Sequence, residues 1–280
     1  MPPISRRAFL AATGGLVIAA ACGDSGNGVR SGAAGSYVGL RVAIDQYATT
    51  RTQRFAFAVT KDDRFFAGPE ATIAFRAPTD EVSDRQPTTL RAEGLPENRG
   101  IYDTEGVFEQ AGVWFGEIEI EGQPVELPFQ VNPLPETLVA GDPAHRAPSP
   151  TPSEPLGVDP ICTRDPVCGL HTRSLGELVG AGRPVAVMFA TPARCETQYC
   201  GPVLDMLLDE QGPFADRVDF VHVEIYRGYE GEAVVPTVEA WTLPSEPWLF
   251  GIDGAGDVTE RLGGAFDRGE VRELLGRLAG

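Results

Sequence analysis

The sequence predicts a chain in two folded parts, an all-β sandwich followed by an α/β unit built on a mixed sheet. Three observations predict it. Between residues 37 and 132, short stretches alternate apolar and polar residues at period two, with Gly, Pro and Asp at many of the breaks. Beyond residue 160 the pattern becomes helix, strand, helix, strand, then a hairpin and a final helix, which implies one parallel crossover and a mixed sheet. Between the two lies a segment crowded with proline. A length of 280 residues suits two modest cores better than one, and 42% hydrophobic content is enough to fill them. The 33 glycines and 24 prolines speak for turns and against a helix bundle. A formal net charge of −17 repels phosphate backbones and anionic lipid, so nucleic acid is set aside as a partner.

The N-terminus reads as an address. Ser5-Arg6-Arg7-Ala8-Phe9-Leu10 precedes an apolar run from Ala11 to Ala21 that ends at Cys22. The run is too short for a good membrane span and has the composition of a signal-peptide core. Paired arginines ahead of it resemble the twin-arginine export signal, and Ala19-Ala20-Ala21 directly before Cys22 resembles a bacterial lipobox. The resemblance implies removal of residues 1–21 and a lipid on the Cys22 thiol, anchoring the protein on the extracytoplasmic face of the cell membrane, in periplasm or cell wall. Residues 22–36, small and polar, are expected to form a flexible tether.

The sandwich is expected over residues 37–132, with strands at 38–44, 54–59, 72–75, 113–120 and 125–131, each with one apolar face. The segment Val107 to Trp114 resembles a motif of immunoglobulin-like bacterial sandwiches, some of which handle copper. Copper held by soft thioether and imidazole ligands needs Met and His, and this part has neither: Met occurs only at 1, 188 and 206, His only at 145, 171 and 222. The sandwich is therefore read as a spacer or docking module, with Trp114 in its core. Residues 133–160 hold eight prolines, from Pro133 to Pro160, and few apolar residues, which predicts a stiffened linker.

The α/β unit is expected over residues 161–280. Helices are predicted at 175–179, 203–208 and 267–278, and strands at 184–190, 218–225, 247–252 and 258–262. The stretch Phe189-Ala-Thr-Pro-Ala-Arg-Cys195-Glu-Thr-Gln-Tyr-Cys200-Gly-Pro202 falls at a strand-to-helix turn, and Ser245-Glu246-Pro247 directly precedes a strand. In these features the unit resembles the thioredoxin fold, which puts cysteines at that turn, often a kinking proline in the helix, and a cis-proline before the later strand. The resemblance implies thiol–disulfide exchange with Cys195 and Cys200 as the reacting pair and Pro247 positioning the substrate backbone. Arg194 and Trp248 are expected beside the sulfurs as substrate contacts, with core or rim packing the alternative for Trp248, and the resemblance implies protein or peptide thiols and disulfides as partners.

The pattern departs from that family in one respect that matters. Cys195 and Cys200 are separated by four residues rather than two, Arg194 stands where a tryptophan is usual, and Val203 takes the place of the second cysteine of Cys-Gly-Pro-Cys. On one continuous helix, five residues at about 100° each set two side chains roughly 140° apart, so Cys195 is expected in the loop before the helix. Three readings stay open: a redox-active disulfide, a structural disulfide in a non-catalytic binding protein, and a copper metallochaperone resembling Sco proteins, which use two cysteines and a distal histidine. His222, in a strand, is read as a hydrogen-bonded core residue. Cys162 and Cys168 are expected to close a structural disulfide, since exported proteins oxidise neighbouring cysteines and proximity favours this pairing. A metal site on Cys162, Cys168 and His171 lacks a fourth ligand and a standard zinc spacing, so no metal and no cofactor is expected.

Overall fold

The alternating stretches of the first half pair into two five-stranded sheets. A computed structural model describes residues 36–43, 45–68, 70–97, 99–194, 199–228 and 233–280. One sheet contains β1 (Tyr37–Arg41), β3 (Thr49–Lys61), β8 (Ile101–Phe108) and β7 (Thr89–Arg91) in that order, with β4 (Arg64–Phe66) on β3. The other runs β2 (Gln46–Tyr47), β10 (Gln123–Asn132), β9 (Gly112–Ile120), β5 (Ala71–Arg76) and β6 (Gln86–Pro87). Period-two alternation turns Val125, Leu127, Phe129 and Val131 of β10 inward, where they share a core with Phe55, Phe57 and Val59 of β3. Glu121 and Gly122, both at positive φ, form the two-residue turn that joins β9 to β10 and matches strand twist. Trp114 is buried as expected, its Nε1–H donating to the Gln110 carbonyl at 2.8 Å.

The third sheet has the order β12-β11-β13-β14. β11 (Val185–Phe189) pairs in parallel with β12 (Asp219–Val223) and antiparallel with β13 (Trp248–Ile252), which turns into β14 (Val258–Gly263). β11 is apolar throughout because both faces are covered. On one face lie α2 (Cys200–Glu210) and α4 (Arg268–Ala279), whose Leu204, Leu207, Val271 and Leu275 share its core. On the other lie α1 (Leu175–Leu178) and α3 (Pro236–Trp241). A capping box starts α4: the Asp267 carboxylate accepts the Glu270 N–H, and Glu270 accepts the Asp267 N–H.

The expected fold class, an α/β thioredoxin fold behind an immunoglobulin-like sandwich, is corrected by these elements. The chain is mostly β, with three sheets, and among the described residues only α2 and α4 exceed seven residues. α1 has four residues and stops before Gly180 at φ +72°, and α3 has six and ends at Thr242 in the left-handed region. The third sheet follows a β-α-β-α-β-β-α course, but α2 carries no Cys-x-x-Cys: Cys200 opens it and Val203 follows one turn on.

Residues 133–160 are a strap along the third sheet. The N–H groups of Gly141 and Ala144 donate to the carbonyls of Val258 and Gly256 at 2.8 Å, and the hydroxyls of Thr137 and Thr237 tie the strap to α3. Sandwich and third sheet meet across polar contacts. Arg261 donates to the fully buried Asp45 at 2.7 Å, and Arg54 donates to Glu270 at 2.6 Å and to the Ala265 carbonyl at 2.8 Å. Among the described residues no helix is long and apolar enough to cross a membrane. The export signal, Cys22 and nearly all of the tether lie outside the described residues.

Candidate metal centre and disulfide

The loop between the strap and α1 brings Cys162, Cys168 and His171 onto β12, the edge strand of the third sheet. The His222 N–H of β12 donates to the Leu170 carbonyl at 3.0 Å, which ties the loop to the sheet edge there. Thr163, next to Cys162, donates its N–H at 2.6 Å and its hydroxyl at 2.9 Å to Glu224, two residues beyond His222. Gly169, at φ +76°, turns the chain so that the Leu170 N–H points back at Cys168 Sγ, 3.4 Å away. The Cys168 N–H donates in turn to Cys162 Sγ at 3.5 Å. Backbone donors of this kind favour thiolate over thiol.

Four ligand atoms converge here, all within 4.8 Å of one another. Cys162 Sγ and Cys168 Sγ are 3.7 Å apart, and His222 Nδ1 lies 4.0 Å from the first and 3.4 Å from the second. His171 Nε2 is 3.1 Å from His222 Nδ1. Zinc at ~2.3 Å from sulfur and ~2.0–2.1 Å from nitrogen in a tetrahedron requires edges of about 3.8 Å for S···S, 3.6 Å for S···N and 3.3 Å for N···N. The four measured separations scatter around these edges. His222 is fully buried, and its Nε2 donates to the Ala190 carbonyl at 2.9 Å, which leaves the Nδ1 lone pair facing the sulfurs. Burial holds the His171 imidazole below its ordinary pKa and so neutral and able to ligate. The hydrogen bond from Cys168 pulls the Cys162 thiol down against burial, while the same contact and burial push Cys168 up.

The disulfide expected between Cys162 and Cys168 is thus corrected: both are free, and 3.7 Å is far beyond the roughly 2.05 Å of a sulfur–sulfur bond. The expectation that the loop lacks a fourth ligand is corrected as well, because His222 supplies it.

Cys200 is disulfide-bonded. It is the first residue of α2 and is fully buried. Cys195, its expected partner, lies outside the described residues. Glu246 Oε2 stands 3.5 Å from Cys200 Sγ and accepts the Thr191 N–H at 3.1 Å, and the Glu246–Pro247 peptide bond is cis. Arg194 stacks its guanidinium over the Tyr226 ring at 4.4 Å and donates to the Gly228 carbonyl, so its side chain is engaged with the segment after β12. Trp248, expected as a substrate contact, is corrected to a core residue: it is 1% exposed, stacks on Phe250, and leaves no room for a Cβ at Gly263. His222 engages its ring nitrogens with Ala190 and the cluster, so it is not the distal ligand that a copper site on Cys195 and Cys200 would need.

The residues that sequence reasoning missed are His222 as a ligand and Glu246 as the neighbour of Cys200. Three cysteine or histidine residues within ten positions, Cys162 to His171, were the available signal for the first. Comparison with models of known protein families and with curated proteins finds no match for this chain.

Proposed function

We propose that the protein binds a transition-metal ion of the zinc class through Cys162, Cys168, His171 and His222. The observation that carries this is the compact set of two sulfurs and two imidazole nitrogens, four of whose six separations lie near the edges of a zinc tetrahedron, with His222 oriented by the Ala190 carbonyl. Two thiolates and two neutral imidazoles suit a borderline-soft ion that prefers four-coordination; such an ion neutralises both sulfurs and leaves no open position for a substrate. Its role is then to pin the irregular loop 160–171 to the edge of the third sheet, where folding and metal binding are one equilibrium. On the extracytoplasmic side proposed from residues 1–22, an ion on both sulfurs would also protect them from pairing. Metal content of protein purified without chelator tests this. One equivalent is expected, falling to a small fraction in Cys162→Ser; an unchanged content in that variant would refute the reading.

A second reading, thiol–disulfide exchange with protein or peptide thiols at the expected Cys195–Cys200 bond, is favoured by the disulfide at Cys200. That sulfur sits at the positive end of an eleven-residue helix, which stabilises the thiolate released when the bond opens. The membrane anchor on Cys22 is supported separately, by the paired arginines, apolar run and small residues that precede it in sequence.

A further inference from the structure

Cys200 presents a proton-transfer problem. Opening its disulfide leaves an electron pair on a sulfur that is fully buried. Among the described residues, Met188, Ala190, Val203, Leu204 and Phe266 share its apolar cluster, and none of these side chains carries an exchangeable proton. Tyr199, the preceding residue, has a buried hydroxyl whose ionisation burial pushes up, so it stays neutral at ordinary pH. His222 is engaged with Ala190 and the metal cluster. Glu246, on the loop before β13, differs from all of these: its carboxyl touches the sulfur at 3.5 Å and is itself partly exposed to solvent. The Thr191 N–H fixes that oxygen from the end of β11.

We infer that Glu246 exchanges the proton of Cys200 during reduction and re-formation of its disulfide, an inference that rests on the thiol–disulfide exchange reading. A thiolate of a dithiol donor attacks the partner sulfur, a new sulfur–sulfur bond forms, and the Cys200 bond breaks with its electron pair on Cys200 Sγ. The Glu246 carboxyl delivers a proton to that sulfur and is reprotonated from water. The donor's second thiolate then attacks the mixed disulfide, freeing the partner cysteine as a thiolate that takes a proton from water, and leaves as the oxidised donor. Two electrons and two protons have entered the protein. In the reverse direction Glu246 accepts the Cys200 proton and makes the thiolate that attacks. A carboxyl in this place acts on the reacting atom as a general acid and base.

The test is the rate of reduction of the folded, full-length protein by excess dithiothreitol between pH 5 and pH 9, with cysteines trapped by alkylation and mapped by mass spectrometry. Rates are divided by the donor thiolate concentration at each pH. Wild type is expected to show a normalised rate that falls as the carboxyl ionises. Glu246→Gln, which keeps an acceptor for Thr191, is expected to be at least tenfold slower at the acid end, with a flat profile. Glu246→Asp is expected to restore part of the pH dependence. A Gln variant that is slower at every pH but keeps the wild-type profile would reduce Glu246 to a structural support and overturn the inference. A disulfide that resists the donor in both proteins would overturn the exchange reading beneath it.

Discussion

Replacing Cys168 by serine isolates the metal from the fold. The side chain is only partly buried and the substitution changes one atom, so the loop keeps its shape while the site loses a thiolate. Structural zinc sites bind with about 10–16 kcal/mol, so one of four ligands is worth about 3–4 kcal/mol, or roughly 10²–10³-fold in affinity. At a zinc concentration about 100 times the wild-type Kd, binding stabilises the folded state by about 2.7 kcal/mol. The same concentration is at or below the variant's Kd and adds less than about 0.4 kcal/mol. For a protein of this size that converts to a rise in Tm of about 5–11 °C in wild type and about 2 °C or less in Cys168→Ser. Anaerobic thermal unfolding with and without zinc reads both numbers. An equal zinc-induced rise in the two proteins would refute the assignment of Cys168 as a ligand, and no rise in wild type would refute the site.

Three further outcomes follow from the packing. Asp45→Ala removes the buried carboxylate that accepts from Arg261, Glu136 and Thr137, and is expected to cost about 3–5 kcal/mol in chemical denaturation; a loss below 1 kcal/mol would show that the sandwich and the third sheet are held without it. Trp248→Ala is expected to cost about 3–5 kcal/mol, the value for a large core side chain, whereas a loss of a few tenths with weakened peptide binding would make Trp248 a groove wall instead. Asp103 is desolvated by burial against the pull of Arg54, with Glu270 nearby, and its pKa is raised to about 6. The folded state therefore holds this proton more tightly than the unfolded chain, and stability from this group is lost as pH rises from about 4 to about 6. The stability difference between wild type and Asp103→Asn is expected to fall by about 2–3 kcal/mol across that window; a flat or rising difference would contradict it.

Local periodicity carried most of the elements. The expected strands at 54–59, 113–120 and 125–131 fall within β3, β9 and β10, and the helix expected at 267–278 is α4 to within a residue at each end. β8 escaped because Asp103, Thr104, Glu105 and Gly106 break its alternation, although Ile101 and Tyr102 anchor it in the core. The proline-rich strap read as a stiffened linker because its polar groups give no periodic signal. Thr137, Ser149 and Thr151 are nonetheless buried, because their partners come from elements and turns that composition does not reveal. The candidate site was legible only in halves. Cys162, Cys168 and His171 stand together in sequence, but their fourth ligand is 51 residues beyond His171, in a strand whose alternation makes any buried histidine look like core. The same cysteines in an exported chain read naturally as a disulfide, and only their separation and the imidazoles between them distinguish the two outcomes. The overall fold class misled for a related reason. The order of strands and helices was right in outline, but short helices and the missing Cys-x-x-Cys change what that order amounts to.

The most direct test of the metal centre is X-ray absorption at the zinc edge on protein loaded with one equivalent of zinc. The geometry predicts about two sulfur neighbours at ~2.3 Å and about two imidazole nitrogens at ~2.0–2.1 Å. A shell of nitrogen and oxygen alone, with Cys162 and Cys168 recovered as a disulfide, would contradict it.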